Sequence, residues 1–133
     1  MPYLETEEQA ERNANWFKSQ IIHVKNARPT AQVLVIGPSD MSVKIDGEYQ
    51  TYPMMEFFIS KLKNASFEAG AAYWDMYRAM GGENSMITWV EEYEWAGGDY
   101  THFSNAGVKN ISRLLVQALL LEYQFYKSQG GAQ

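Results

Sequence analysis

Apolar positions recur at helical spacing in three stretches of the chain, and short unbroken apolar runs lie between them. In the first stretch Ala10, Ala14, Phe17, Ile21 and Val24 fall three or four residues apart, which predicts a helix from about Thr6 to Ala27 with one buried face. Thr6, followed three residues later by Gln9, has the spacing of a capping box, and Pro29 stops the element. The second stretch, from about Pro53 to Ala69, offers Phe57, Phe58, Leu62 and Phe67 for burial, with proline in its first turn. The third starts at Ser104, which can cap it, and places Val108, Ile111, Leu115, Ala118 and Leu119 on one face. It runs to about Ser128 and frays into Gly130, Gly131, Ala132 and Gln133.

The run from Gln32 to Ile36 ends at Gly37-Pro38 and is too short for a helix. It predicts a parallel strand buried on both faces. Ala71 to Trp74 reads as a second short strand. Ser39 to Tyr52 is polar, with a turn signal at Asp46-Gly47. Asp75 to Gly98 is rich in aromatics and methionine, with a short helix expected near Ser85 to Tyr93. The order helix, strand, helix, strand, helix is that of an α/β layered fold. The 133 residues form one domain in this reading, without internal repeats.

Composition narrows the function classes. Apolar residues make up 46% and charged residues 20%, which is globular material. A net charge of -5 with scattered Lys and Arg argues against nucleic-acid binding. The absence of cysteine excludes disulfides, thiolate zinc sites and cysteine nucleophiles. No stretch approaches the roughly 20 apolar residues of a membrane span, and the acidic start has no apolar leader core. With only His23 and His102 present, a histidine-based metal site lacks support, and neither metal nor cofactor is expected. His23, between Ile22 and Val24, reads as a partly buried structural residue. Glu91, Glu92 and Glu94 read as a solvated helix face. Trp89 and Trp95 are large aromatics suited to a core; at the mouth of a concave site they could stack on a sugar ring.

The chemistry-bearing positions lie just before the last helix. Asp99-Tyr100-Thr101-His102 follows Gly97-Gly98. A histidine presented on such a loop can act as a general base near neutral pH. A carboxylate three residues earlier can fold back on Nδ1 and fix the tautomer. The plainer reading is a polar turn, with Asp99 serving the turn itself.

The run Asp99-Tyr100-Thr101-His102-Phe103-Ser104-Asn105-Ala106-Gly107 resembles the late Asp-x-x-His block of SGNH/GDSL-type serine esterases. Val33 to Asp40 is similar to that family's fourth core strand and the loop leaving it, and Ala72 to Asp75 to its fifth strand. Ala79-Met80-Gly81-Gly82, with Ser85-Met86 and Trp89, resembles a segment of bacterial GDSL-like acylhydrolases. The resemblance implies an incomplete three-layer α/β/α, flavodoxin-like fold with two short parallel strands and about three main helices. It implies Asp99 and His102 as catalytic residues. Ser39 and Asp40 read first as structural residues of the loop leaving the strand, with substrate lining as the alternative, and Trp89 reads as core or, alternatively, as a third substrate-lining residue. The implied substrate is a small acyl ester or an acetylated carbohydrate, and the implied location is periplasmic or extracellular.

The chain departs from the family by containing neither Gly-Asp-Ser nor Gly-x-Asn. The resemblance thus implies the C-terminal part of the domain, without nucleophile or oxyanion blocks, inactive by itself. Ser39 follows a strand but has no nucleophile-elbow motif; Ser42 and Ser85 have none either, and Ser104 is better explained as a cap. Without its neighbouring strand, the Gln32 to Ile36 edge is expected to drive self-association. The alternative is a non-catalytic α/β interaction module that keeps the Asp-x-x-His turn for structural reasons.

Overall fold

The structure, a computed structural model, describes residues 4–130. Helix α1 spans Glu7–Ala27. The Thr6 hydroxyl accepts from the Gln9 amide at 3.2 Å, and the Gln9 side chain accepts from the Thr6 amide at 3.1 Å. This capping box is the one the spacing predicts, and it satisfies two amides that the helix itself leaves open. Ala10, Ala14 and Ile21 are its buried residues. The small side chains of Ala10 and Ala14 let α1 lie close along helix α2, Met55–Glu68, where Phe58 and Leu62 close over Ala10 and Leu4. Pro53 lies just outside α2, whose N-cap is Met54. His23 is exposed, not partly buried as expected, because the buried face of α1 passes through Ile21 instead.

Strands β1, Leu34–Ile36, and β4, Ala72–Trp74, pair in parallel, with Leu34 opposite Ala72 and Ile36 opposite Trp74. The α/β class read from the element order is therefore present, with α1, α2 and the last helix as the three long helices. Burial of β1 is one-sided. Val35 points into a cluster with Ile21, Ala69 and Ala71, whereas Leu34 and Ile36 are 42% and 49% exposed. Helices α1 and α2 cover only the face that Val35 addresses, so the expectation of cover on both faces is corrected.

The polar segment after β1 folds into an antiparallel hairpin, β2 (Ser42–Ile45) and β3 (Glu48–Thr51). Asp46 and Gly47 have φ of 53° and 89°, the positive pair that a two-residue hairpin turn demands. Past β4, Asp75 caps the short helix α3, Met76–Met80, by accepting from the Arg78 amide at 3.0 Å. Helix α4, Ser85–Glu91, follows. Met80, Met86, Trp89, Ala96 and Ile111 form a second core between α3, α4 and the start of α5, Asn105–Ser128.

Helix α5 is less buried than its pattern predicts. Gly107 and Ile111 are its buried residues, while Val108 and Leu119, on the expected apolar face, are each 49% exposed. At 24 residues it is about 36 Å long, which outruns the small core it starts on. Every described residue from Leu119 onward is exposed. The expected fray at Gly131 to Gln133 lies outside the described residues.

Candidate active site

Asp99 and His102 sit in a loop closed at its base by an antiparallel bridge between Ala96 and Phe103. Inside it, the Gly97 amide donates to the His102 carbonyl at 2.8 Å, and the Tyr100 amide donates to the Gly97 carbonyl at 3.0 Å. Tyr100 adopts φ of 54°, a left-handed conformation uncommon for an aromatic residue. Three contacts hold it there. Its carbonyl accepts from the Ser42 amide at 3.0 Å, its ring stacks on Tyr49 at 3.7 Å, and its hydroxyl donates to Glu91 at 2.8 Å. The hairpin and α4 thus grip the loop at the residue between the two candidate groups.

The far side of the loop is fixed by α5. Ser104 donates its hydroxyl to the Glu94 carbonyl at 2.8 Å and accepts from the Gly107 amide at 3.2 Å. It is the cap that the sequence predicts. Gly107 is needed because a Cβ there would stand 1.7 Å from the Trp95 carbonyl oxygen. The Ser-x-x-Gly spacing therefore encodes the docking of α5 against the Trp95 backbone leading into the loop.

This framework places the imidazole Nδ1 of His102 at 2.7 Å from Oδ2 of Asp99. The other carboxylate oxygen, Oδ1, accepts from the amides of Thr101 and His102, each at 3.0 Å. The His102 amide, the His102 ring and the Thr101 amide, in that order, hold the Asp99 carboxyl down at about 2, so it stays ionised. The same carboxylate serves the turn and addresses the ring. With Nδ1 facing a carboxylate, Nε2 is the nitrogen that faces outward. It has no hydrogen bond among the described residues, and the side chain is 82% exposed. Such a ring can accept a proton at Nε2 while Asp99 stabilises the resulting cation.

The other expected site residues are dispersed. Ser39 is half-buried beside Asp40. Asp40 is fully buried: its carboxylate accepts from the Met86 amide at 2.9 Å and from the Thr51 hydroxyl at 2.9 Å. Burial pushes its carboxyl above the usual range, partly offset by the Met86 amide. Trp89 is buried, with its indole N–H on the Met80 carbonyl at 3.0 Å and its rings against Trp95 and Phe103. On this chain Asp40 ties the hairpin to α4, and Trp89 packs in the second core at the back of a cleft it shares with Tyr93 and Trp95. Ser42 and Ser85 are buried. The gripping roles of Tyr49, Tyr100 and Glu91 carry no sequence motif.

Among the described residues no group of three or more His, Asp or Glu side chains could hold a metal ion. No helix among them is long and apolar enough to cross a membrane.

The site belongs to a mixed α/β fold that presents an Asp-x-x-His pair on the loop before its last helix. A solved structure with a similar fold is that of a peptidoglycan O-acetylesterase. The two share a TM-score of 0.71 and 20% sequence identity over 93% of this chain. The match covers 33% of that protein, so this chain spans about a third of its length. No protein-family model matches the chain, and no curated protein matches it in sequence. The likeness is one of fold.

Proposed function

We propose that this chain supplies the histidine and aspartate of an ester-hydrolysing Ser-His-Asp triad, within the C-terminal part of an SGNH-type hydrolase domain. The observation carrying this reading is the 2.7 Å contact between His102 Nδ1 and Asp99, with Nε2 open to solvent. The fold neighbour's name, a peptidoglycan O-acetylesterase, supports ester chemistry on small acyl groups such as acetylated carbohydrate. In this reading the nucleophilic serine is supplied by other polypeptide, these 133 residues having no Gly-Asp-Ser.

In the proposed reaction the serine hydroxyl attacks the acyl carbon as His102 Nε2 takes its proton. The imidazolium, steadied by ionised Asp99, passes that proton to the leaving alcohol oxygen, and an acyl-serine remains. Water then attacks the acyl carbon, His102 takes the water's proton, and that proton returns to the serine as the acid departs. No metal or cofactor takes part in this scheme.

The test is hydrolysis of p-nitrophenyl acetate by this chain, by a longer form carrying a Gly-Asp-Ser serine, and by His102→Ala in each. Activity confined to the longer form and lost with His102→Ala upholds the reading. Activity of the short chain that needs His102 would point to a nucleophile within it, Ser39 first. An inert longer form would favour a non-catalytic interaction module.

A further inference from the structure

We infer that the cleft between α3, α4 and α5 binds an acidic carbohydrate, its ring stacked on Tyr93 and its carboxylate held by Arg113. The inference does not depend on the roles of Asp99 and His102.

The cleft has a volume of about 510 Å³, within the range of small-ligand sites. Its walls include Tyr93, Trp95, Asn110 and Arg113, with Trp89 behind them. Tyr93 and Trp95 stack at 4.3 Å between ring centres, 23° from parallel. Trp95 is in turn met edge-on by Trp89 at 5.1 Å, and the Trp89 indole is anchored on the Met80 carbonyl. The series runs from a buried, hydrogen-bonded ring to a half-exposed one, Tyr93 at 50%. An exposed aromatic ring held flat by a second ring has little freedom left to lose when a ligand arrives. A rigid apolar plane of this kind suits the C–H face of a sugar ring.

Arg113 adds a charge requirement. Among the described residues it forms no ion pair, and its hydrogen bond goes to the neutral Asn110 side chain at 2.8 Å. This occurs in a chain with net charge -5, where carboxylates outnumber cations. A guanidinium free of any acidic partner is suited to a carboxylate, which it can bind through two parallel hydrogen bonds. Glu83 also lines the cleft; it can accept from sugar hydroxyls and disfavours a ligand made of negative charge alone. Ring and carboxylate together satisfy the site better than either does separately.

The test titrates this chain with methyl β-D-glucuronoside, methyl β-D-glucoside and acetate, read by indole and guanidinium NMR signals. The expected result is a saturable millimolar shift of the Trp95 and Arg113 signals by the glucuronoside, with the glucoside about tenfold weaker. Arg113→Gln should bring the glucuronoside down to the glucoside's affinity, and Tyr93→Ala should weaken both sugars. Arg113→Gln changes an exposed side chain and keeps the inference testable if Tyr93→Ala fails to fold. Equal affinity for the two glycosides, equal response to acetate, or no saturable shift at millimolar sugar would overturn it.

Discussion

One carboxylate, that of Asp99, takes the His102 ring nitrogen on Oδ2 at 2.7 Å and two successive backbone amides on Oδ1 at 3.0 Å. The turn and the ring orientation are therefore a single arrangement. His102 in its neutral form should carry its proton on Nδ1, leaving Nε2 as acceptor. Nitrogen NMR shifts of the imidazole check this, and Asp99→Ala should produce a mixture of tautomers. An Nε2-protonated ring in the unmodified chain would refute the assignment.

The same carboxylate sets an acid limit. Its folded-state value, about 2, lies below the ordinary 3.8. A lowered carboxylate contributes stability that is present above the ordinary value and lost as pH falls through the folded one. The side-chain carboxyl carbon shift of Asp99 should accordingly report its protonation with a midpoint near 2. A midpoint close to 3.8 would show that the carboxylate is not held by the loop.

Asp40 and Ser39 are neighbours in sequence with opposite fates. Asp40→Ala strips the buried Met86 amide of its acceptor, a loss of about 2–3 kcal/mol. Ser39→Ala, half-buried and without such a partner, should cost under about 0.5 kcal/mol. Chemical denaturation of the two variants checks the contrast. The raised carboxyl of Asp40 also carries a pH sign. Its contribution is present below the ordinary aspartate value and fades as pH rises through the folded one, and Asp40→Asn should flatten that limb.

Gly107→Ala tests how the site is docked. The new methyl would meet the Trp95 backbone oxygen at 1.7 Å, and neither backbone can yield without opening the Ser104 cap. The expected loss is about 3 kcal/mol in thermal unfolding, with faster amide exchange at His102 than at Ile21. A neutral effect would mean that α5 does not rest on Trp95.

These cases show which parts of the molecule were legible in the sequence. Thr6 with Gln9, and Ser104 with Gly107, are local signals, because a helix terminus is built from residues three or four apart. The parallel pairing of Leu34 with Ala72 followed from two short apolar runs separated by a helix. The hairpin was half-visible: Asp46-Gly47 marked its turn, yet β2 and β3 are four residues each and mostly polar outward. Asp99 with His102 was readable because their contact spans three residues. Tyr100 on Tyr49, or Asp40 on Met86, joins segments 46 to 51 residues apart, which no local pattern reports. Burial was over-read on β1 and α5 because an apolar residue declares what it would bury against, not whether that surface is present.

That last mismatch yields a prediction about association. The Val33 carbonyl and the Gly37 amide both bond β4. In a parallel strand the alternate residues turn the other way, so the amides and carbonyls of Leu34 and Ile36 face the open edge of the sheet. Their side chains are 42% and 49% exposed, and Val116, Leu119, Leu120 and Tyr123 on α5 are exposed as well. An open edge that is also apolar is a template for another strand. The chain by itself should self-associate through β1, giving a mass above the 15.2 kDa monomer in light scattering. Ile36→Lys places a charge on that edge and should shift the chain toward monomer, while Ile22→Lys, on the exposed side of α1, should leave its mass unchanged. A monodisperse monomer of the unmodified chain at micromolar concentration would refute the association, and equal effects of the two lysines would show that the contact lies elsewhere.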